Sequence, residues 1–241
     1  MQSKNRLTQG AGAVVLRGLA ISSESPELAQ LASITIGSAY GRPTKTDKQL
    51  SQIAWPVRFD PDAPIRSTFS QTKGEAQLHT DSQYFEHPEK FFGLFCIVAD
   101  EQGKGTNTLV YAKDVVHAVA KESPESLEVL SKKYPFRVPT AFTEMATDSA
   151  VEITWAPIIT MGTVRYRYDT LCDGIAAVGG IDEAQLTALA LFEQKLAEAP
   201  SQAYHLSPDE ALLVNNHTML HARTPFDNPE RLLYRVRMEE P

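Results

Sequence analysis

Apolar and polar positions change period several times along the chain, and each change marks an element. Gly12 to Gly18 is a short apolar run closed by a turn and reads as a strand. Ser25-Pro26-Glu27 has the composition of a helix start: a capping hydroxyl, a proline in the first turn and an acid at the positive end. The helix it opens carries Leu28, Leu31 and Ile34 and stops by Gly41-Arg42-Pro43. Thr44 to Leu50 is polar and charged, as in a solvated loop. Gln52 to Val57 and Ser67 to Ser70 read as short strands around the turn-rich Asp60 to Pro64, and Gln71 to Gln77 as a loop. Phe91 to Val98 is continuously apolar, as expected of a fully buried strand, and Thr108 to Tyr111 is the next strand. Asp114 to Val119 and Pro124 to Ser131 read as helices, the second capped by Ser123. Val151 to Trp155 and Val164 to Tyr168 alternate on either side of Met161-Gly162 and predict a hairpin. Ile181 to Leu196 has helical spacing, and Ser207 to Glu210 turns into the apolar Ala211 to Val214. Many short strands with helices inserted make the chain mainly β, a sandwich or jelly-roll barrel.

Composition narrows this without adding chemistry. The 241 residues show no repeat or linker and suit one domain over 1–241. An apolar share of 42% and a charged share of 22% are those of a soluble globular chain. A net charge of −7 argues against general nucleic-acid binding and leaves room for a local basic pocket. Cys96 and Cys172 have no framework spacing, so a reducing, cytoplasmic setting is expected. No stretch approaches the ~20 apolar residues of a membrane span. Ala11 to Ala20 is too short for a signal peptide core and is broken by Arg17.

Candidate chemistry centres on Leu78-His79-Thr80-Asp81. Read as a strand, the stretch puts His79 and Asp81 on one face, two legs of a metal site. Alone, such a pair is more often a turn cap beside a surface histidine. A third ligand has to come from His87, His117, His205, His217 or His221, and His221 follows the apolar run that ends at Val214. Two histidines and one carboxylate form the facial arrangement of non-haem iron(II) sites. Structural zinc would recruit a further Cys or His. The nearest is His217, which on a strand lies ~13 Å from His221 and is expected to stay off the metal. His117 reads as a surface or packing residue.

Taken in order, four stretches resemble the taurine dioxygenase and clavaminate synthase-like family of iron(II), 2-oxoglutarate-dependent oxygenases. They are His79-Thr80-Asp81, Gly105-Thr106-Asn107-Thr108-Leu109, the run from Asn215 to Arg223, and Glu230-Arg231 through Arg235. The resemblance extends from about Gly12 to Met238. It implies a double-stranded β-helix core, with iron(II) on His79, Asp81 and His221. It also implies 2-oxoglutarate held by Thr108 and Arg231, and dioxygen consumed as succinate and carbon dioxide form. Arginine suits the distal carboxylate because its planar fork binds such a group through two parallel bonds. Asp81 argues against the halogenating variant, which carries Gly or Ala there. The chain departs from the family pattern at Ala222, where glycine is usual, and at Asn215 and His217, which replace an aspartate and an arginine.

Arg231, Leu233, Arg235 and Arg237 share one strand parity, and Leu232, Tyr234, Val236 and Met238 form an apolar set on the other. Arg235 therefore points to the same side as Arg231, which suits a substrate bearing a carboxylate or sulfonate. Tyr84 and Glu75 flank the metal motif and are further candidates for substrate contact. The implied reaction is hydroxylation or desaturation of a small anionic molecule such as an amino acid or its derivative. A zinc-dependent hydrolase and a non-catalytic metal-binding sensor are the alternatives.

Overall fold

The structure, a computed structural model, describes residues 2–45, 52–62, 68–100, 103–139 and 151–240. In chain order the strands are β1 (Ala13–Leu16), β2 (Arg42–Pro43), β3 (Ala54–Val57), β4 (Ala76–His79), β5 (Phe91–Val98), β6 (Asn107–Tyr111) and β7 (Lys133–Arg137). They continue with β8 (Ile153–Pro157), β9 (Ile159–Thr160), β10 (Thr163–Val164), β11 (Ser201–Tyr204), β12 (Ala211–Asn215), β13 (Met219–Arg223) and β14 (Leu232–Glu239). The helices are α1 (Gln2–Gln9), α2 (Pro26–Ser38), α3 (Ala112–Glu122), α4 (Pro124–Leu130), α5 (Tyr168–Ala177) and α6 (Glu183–Glu198).

Two antiparallel sheets carry the architecture. The larger runs β1-β12-β5-β14-β2, with β3 also on β14, and the smaller runs β11-β6-β13-β4. Strand alternation divides the apolar side chains into three layers. On β5, β12 and β14, Phe92, Cys96, Leu212, Val214 and Leu233 meet Leu109 and Met219 of the smaller sheet, so this cluster lies between the sheets. Phe91, Phe95, Leu213, Tyr234, Val236 and Met238 point the other way, against α1 and α2. Val110 and Leu220 leave the far face of the smaller sheet to pack under α3, α4, α5 and α6. The apolar parity of β14 thus faces helices, and its arginine parity faces the inter-sheet space.

Ser25 caps α2 as expected, through Leu28 N. Its buried stripe is instead Ala29, Ser33 and Gly37, and Leu28 and Leu31 are 52% and 59% exposed. Small residues let the helix sit close on β14, where a Cβ on Gly37 would lie 3.2 Å from Val236 and Met238 atoms. The α3, α4 and α6 helices form where expected, α4 with the expected Ser123 cap, and Asp182 caps α6 as well. Two expectations fail. Phe69–Gln71 is a 3-10 turn rather than the end of a strand. The run ending at Trp155 pairs with β7, leaving the Met161-Gly162 hairpin to the short β9 and β10, while Tyr168 opens α5. The loop expected at Thr44 to Leu50 lies largely outside the described residues, as does Ser67.

Candidate active site

The smaller sheet builds the site. β4 and β13 pair with His79 opposite His221, and strand β4 ends there. Asp81 therefore lies in the turn after the strand, a correction to the strand reading, yet it still meets both imidazoles. Its Oδ1 is 3.8 Å from His79 Nε2 and 3.9 Å from His221 Nε2. Other bonds fix this turn. Thr80 N donates to Tyr166 O at 2.8 Å, and Asp81 N donates to Asn216 Oδ1 at 2.7 Å. Asn216 Nδ2 returns bonds to Asp81 O and Glu89 O, so the turn before β13 holds the turn after β4. Ser82 follows with φ 57, a left-handed conformation that a serine adopts only under tertiary constraint.

His79 Nδ1–H donates to Gln77 O at 2.7 Å, which leaves Nε2 as a free donor atom facing Asp81. Phe69 packs edge-on to His79, and Phe92 lies 4.5 Å from His221. Burial, and then the neighbouring His221, lowers His79 well below its ordinary value, and burial lowers His221 to about 4. Burial alone would push the Asp81 carboxyl up, but Arg235 and Arg237 outweigh it and hold the group well below the usual carboxylate range. Two neutral imidazoles and one carboxylate, with ligand atoms within 4.8 Å of one another, are the donor state a divalent first-row metal requires. The residues fit such an ion. Among the described residues no other His, Cys, Asp or Glu group does so.

Two narrow cavities reach this centre. One, of about 50 Å³, is walled by Val57, Phe92, Leu94 and Leu233 and carries Arg223 and Arg231. The other, of about 20 Å³, is lined by Asp81, Ser82, Gln83, Tyr84, Arg167 and Arg237. Phe69, His79 and Arg235 line both. A larger cavity, of about 590 Å³ beside Tyr111 and His117, contains none of the three candidate ligands.

Arg231 lies at one end of the first cavity, donating to Gly105 O at 3.3 Å, with Nη1 unpartnered. Arg235 and Arg237 each reach Asp81 Oδ2 at 3.2 Å. Tyr84 lines the second cavity, whereas Glu75 is exposed and lines neither. Thr108 pairs with Ala222 on the face opposite to Leu109 and His221, so it points away from the centre, and Asn107 lines the cavity instead. His217 donates Nε2–H to Pro88 O and stays off the centre. Sequence reasoning missed Arg237, Asn216 and Arg167 as parts of the site. The parity shared with Arg231 was the available signal for Arg237.

The sequence model of the family described as Taurine catabolism dioxygenase TauD, TfdA family matches residues 1–237. No curated protein sequence matches the chain significantly. Among solved structures, an asparagine oxygenase in complex with Fe(II), 2S,3S-3-hydroxyasparagine and succinate is similar at TM-score 0.75 and 18% identity, covering 98% of this chain and 76% of that one. The non-heme iron oxygenase OrfP in complex with Fe and alpha-ketoglutaric acid gives TM-score 0.73 and 15% identity, covering 100% and 79%. OrfP with Fe, succinate and (3S)-hydroxy-L-Arg gives 0.74 and 13%, covering 99% and 79%. With the ligand geometry and the match over nearly the whole sequence, the chain belongs to the taurine catabolism dioxygenase TauD, TfdA family, whose members are iron(II)- and 2-oxoglutarate-dependent oxygenases.

Proposed function

We propose that the chain hydroxylates or desaturates a small anionic molecule of the amino-acid class, using iron(II), 2-oxoglutarate and dioxygen. The observation that carries this reading is one buried His79-Asp81-His221 centre with arginines in the cavities on either flank. Two facing antiparallel sheets support a double-stranded β-helix core, in a single domain over 1–241. Bound iron(II) supplies the redox chemistry that couples substrate oxidation to the decarboxylation of 2-oxoglutarate to succinate.

The chain's own residues divide the remaining work. Arg231 binds the distal carboxylate of 2-oxoglutarate, its unpartnered Nη1 and its neighbour Nη2 forming the fork. Val57, Phe92, Leu94 and Leu233 keep water from that path. Arg235 lines both cavities and binds the anionic group of the oxidised substrate, while Tyr84 and Gln83 line the smaller cavity beside it. Support for the amino-acid class comes from the hydroxyasparagine and hydroxyarginine held by the similar structures. Two unpaired cysteines support a cytoplasmic setting. Among the described residues no helix is long and apolar enough to cross a membrane.

The test is succinate formation by the iron(II)-loaded protein across a panel of amino acids and their decarboxylated analogues. An amino acid should raise succinate yield, and its analogue without the carboxylate should not. Equal stimulation by both members of every pair would overturn the substrate class, and no consumption of 2-oxoglutarate would overturn the reaction.

A further inference from the structure

Asp81 offers its two oxygens to different neighbours. Oδ1 is the atom near both histidines, at 3.8 and 3.9 Å from their Nε2 atoms. Oδ2 lies 3.2 Å from Arg235 Nη1 and 3.2 Å from Arg237 Nε. The two arginines are not equivalent. Arg235 Nη1 also reaches Oδ1, at 3.3 Å, and its side chain borders both cavities. Arg237 bonds Oδ2 alone and is only 3% exposed. Glu89, itself buried, is the other carboxylate whose charge supports that of Arg237. Its side chain accepts from Thr44 Oγ1, and its carbonyl accepts from Asn216, the residue that also fixes the Asp81 backbone. Arg237 thus has a fixed place and one contact at the centre, and Arg235 has several to choose from.

We propose that Arg237 is a positioning residue that restricts Asp81 to one-oxygen metal coordination. A carboxylate beside a divalent cation can bind through one oxygen or both. With iron(II) and 2-oxoglutarate as ligands, on which this assignment rests, two-oxygen binding would fill a position that the cosubstrate or dioxygen requires. A fixed guanidinium on Oδ2 leaves Oδ1 as the one lone-pair donor facing the histidines. Arg235 is then free to exchange Asp81 for a substrate anion without changing how Asp81 binds.

Arg237→Met tests this in the full chain loaded with cobalt(II), which reports coordination through its visible spectrum without turnover. Metal affinity should hold or rise several-fold, because a nearby cation is lost and Asp81 gains a second donor atom. Affinity for 2-oxoglutarate, measured by calorimetry on the cobalt-loaded protein, should fall about tenfold or more, the factor to which ~1.4 kcal/mol corresponds. The visible bands should change before any cosubstrate is added, and Arg237→Lys should lie between wild type and Arg237→Met. A residue that only supports the fold would lower both affinities together, and that result, or an unchanged 2-oxoglutarate affinity, overturns the proposal. If Arg237→Met does not fold, the charge-balanced pair Arg237→Met with Glu89→Gln carries the same test. Wild-type protein that binds no 2-oxoglutarate would overturn the functional reading and this assignment with it. Wild-type binding with an unshifted variant overturns this assignment alone.

Discussion

Arg223 and Arg231 line one of the two cavities at the centre, Arg237 the other and Arg235 both; these four guanidinium groups, all buried but the half-buried Arg235, are held in two ways. The first pair is hydrogen-bonded by neutral groups, with the buried Asp100 carboxylate near enough to support the charge of Arg231. Arg223 donates to the carbonyls of Phe69, Thr72 and Gly74, Arg231 donates to that of Gly105, and both lie 4.8 Å from the ring of Phe226. Burial lowers both, Arg223 to about 10. The second pair shares Asp81. Carbonyls and a ring face fix the geometry of a cation but offset little of its charge, and the unpartnered Nη1 of Arg231 suits an anion from outside. The second pair already has one from the protein, and what it recognises must compete with Asp81 or join it.

The largest expected effect tests the centre on which the comparison turns. His79→Ala, Asp81→Ala and His221→Ala should each abolish metal binding and turnover, and His217→Ala should preserve both, as read by metal analysis and succinate yield. Asp81→Ala should differ from the histidine variants in one respect. It strands the buried Arg237 and the half-buried Arg235, so it should cost ~3–5 kcal/mol in a urea melt of the metal-free protein, where the histidine variants cost less. Equal costs would mean that Arg235 and Arg237 do not depend on Asp81.

Next in size is Arg231→Lys, which should weaken 2-oxoglutarate binding by ~1.5–3 kcal/mol, roughly ten- to a hundredfold. An anaerobic titration reads this, and an unchanged affinity would break the assignment of that flank to the cosubstrate. Arg235→Ala should leave that affinity within a few-fold while raising the substrate's KM. Succinate should then form with little oxidised product, because the reacting C–H bond is no longer held in place. If Arg235→Ala instead mimics Arg231→Lys, the two flanks do not divide the ligands.

The smallest effect sharpens the geometry of the first flank. Gly105 has φ +69, and a Cβ there would lie 2.7 Å from Arg231 Nε. Gly105→Ala should cost ~1 kcal/mol of stability and displace Arg231, weakening 2-oxoglutarate binding by less than Arg231→Lys does. The paired control is Gly103→Ala, where φ is +72 but no atom lies within 4 Å of the added carbon, so stability falls while binding holds.

Much of the larger sheet was legible in the sequence because burial on both faces leaves an unbroken apolar run, as at Phe91 to Val98. Capped helices were legible for a local reason, since Ser25 and Ser123 bond their own first turns. What escaped is what distant pairing decides. Strand β7 contains Pro135, which reads as a strand breaker. Gly174 reads as a helix breaker too, yet it lets α5 lie on β7, where a Cβ would come 2.1 Å from Pro135 O. Thr108 matched a motif, but its pairing with Ala222 sets which way it faces. Arg237 had the right parity, and only the fold reveals its partner, Asp81, 156 residues away in sequence.

Strand β14 follows every other strand of the larger sheet in the chain, yet it occupies an interior place there, between β5 and the pair β2 and β3. During synthesis all its neighbours are therefore made before it. Until it arrives, the long apolar β5 keeps one ladder of N–H and C=O groups open, the template on which chains pair wrongly with one another. The arginines of β14 come with it and reach Asp81 only when that edge closes. Whatever holds the growing chain must shield β5, and slowing translation between the completion of β5 and the arrival of β14 should raise aggregation more than slowing it before Phe91.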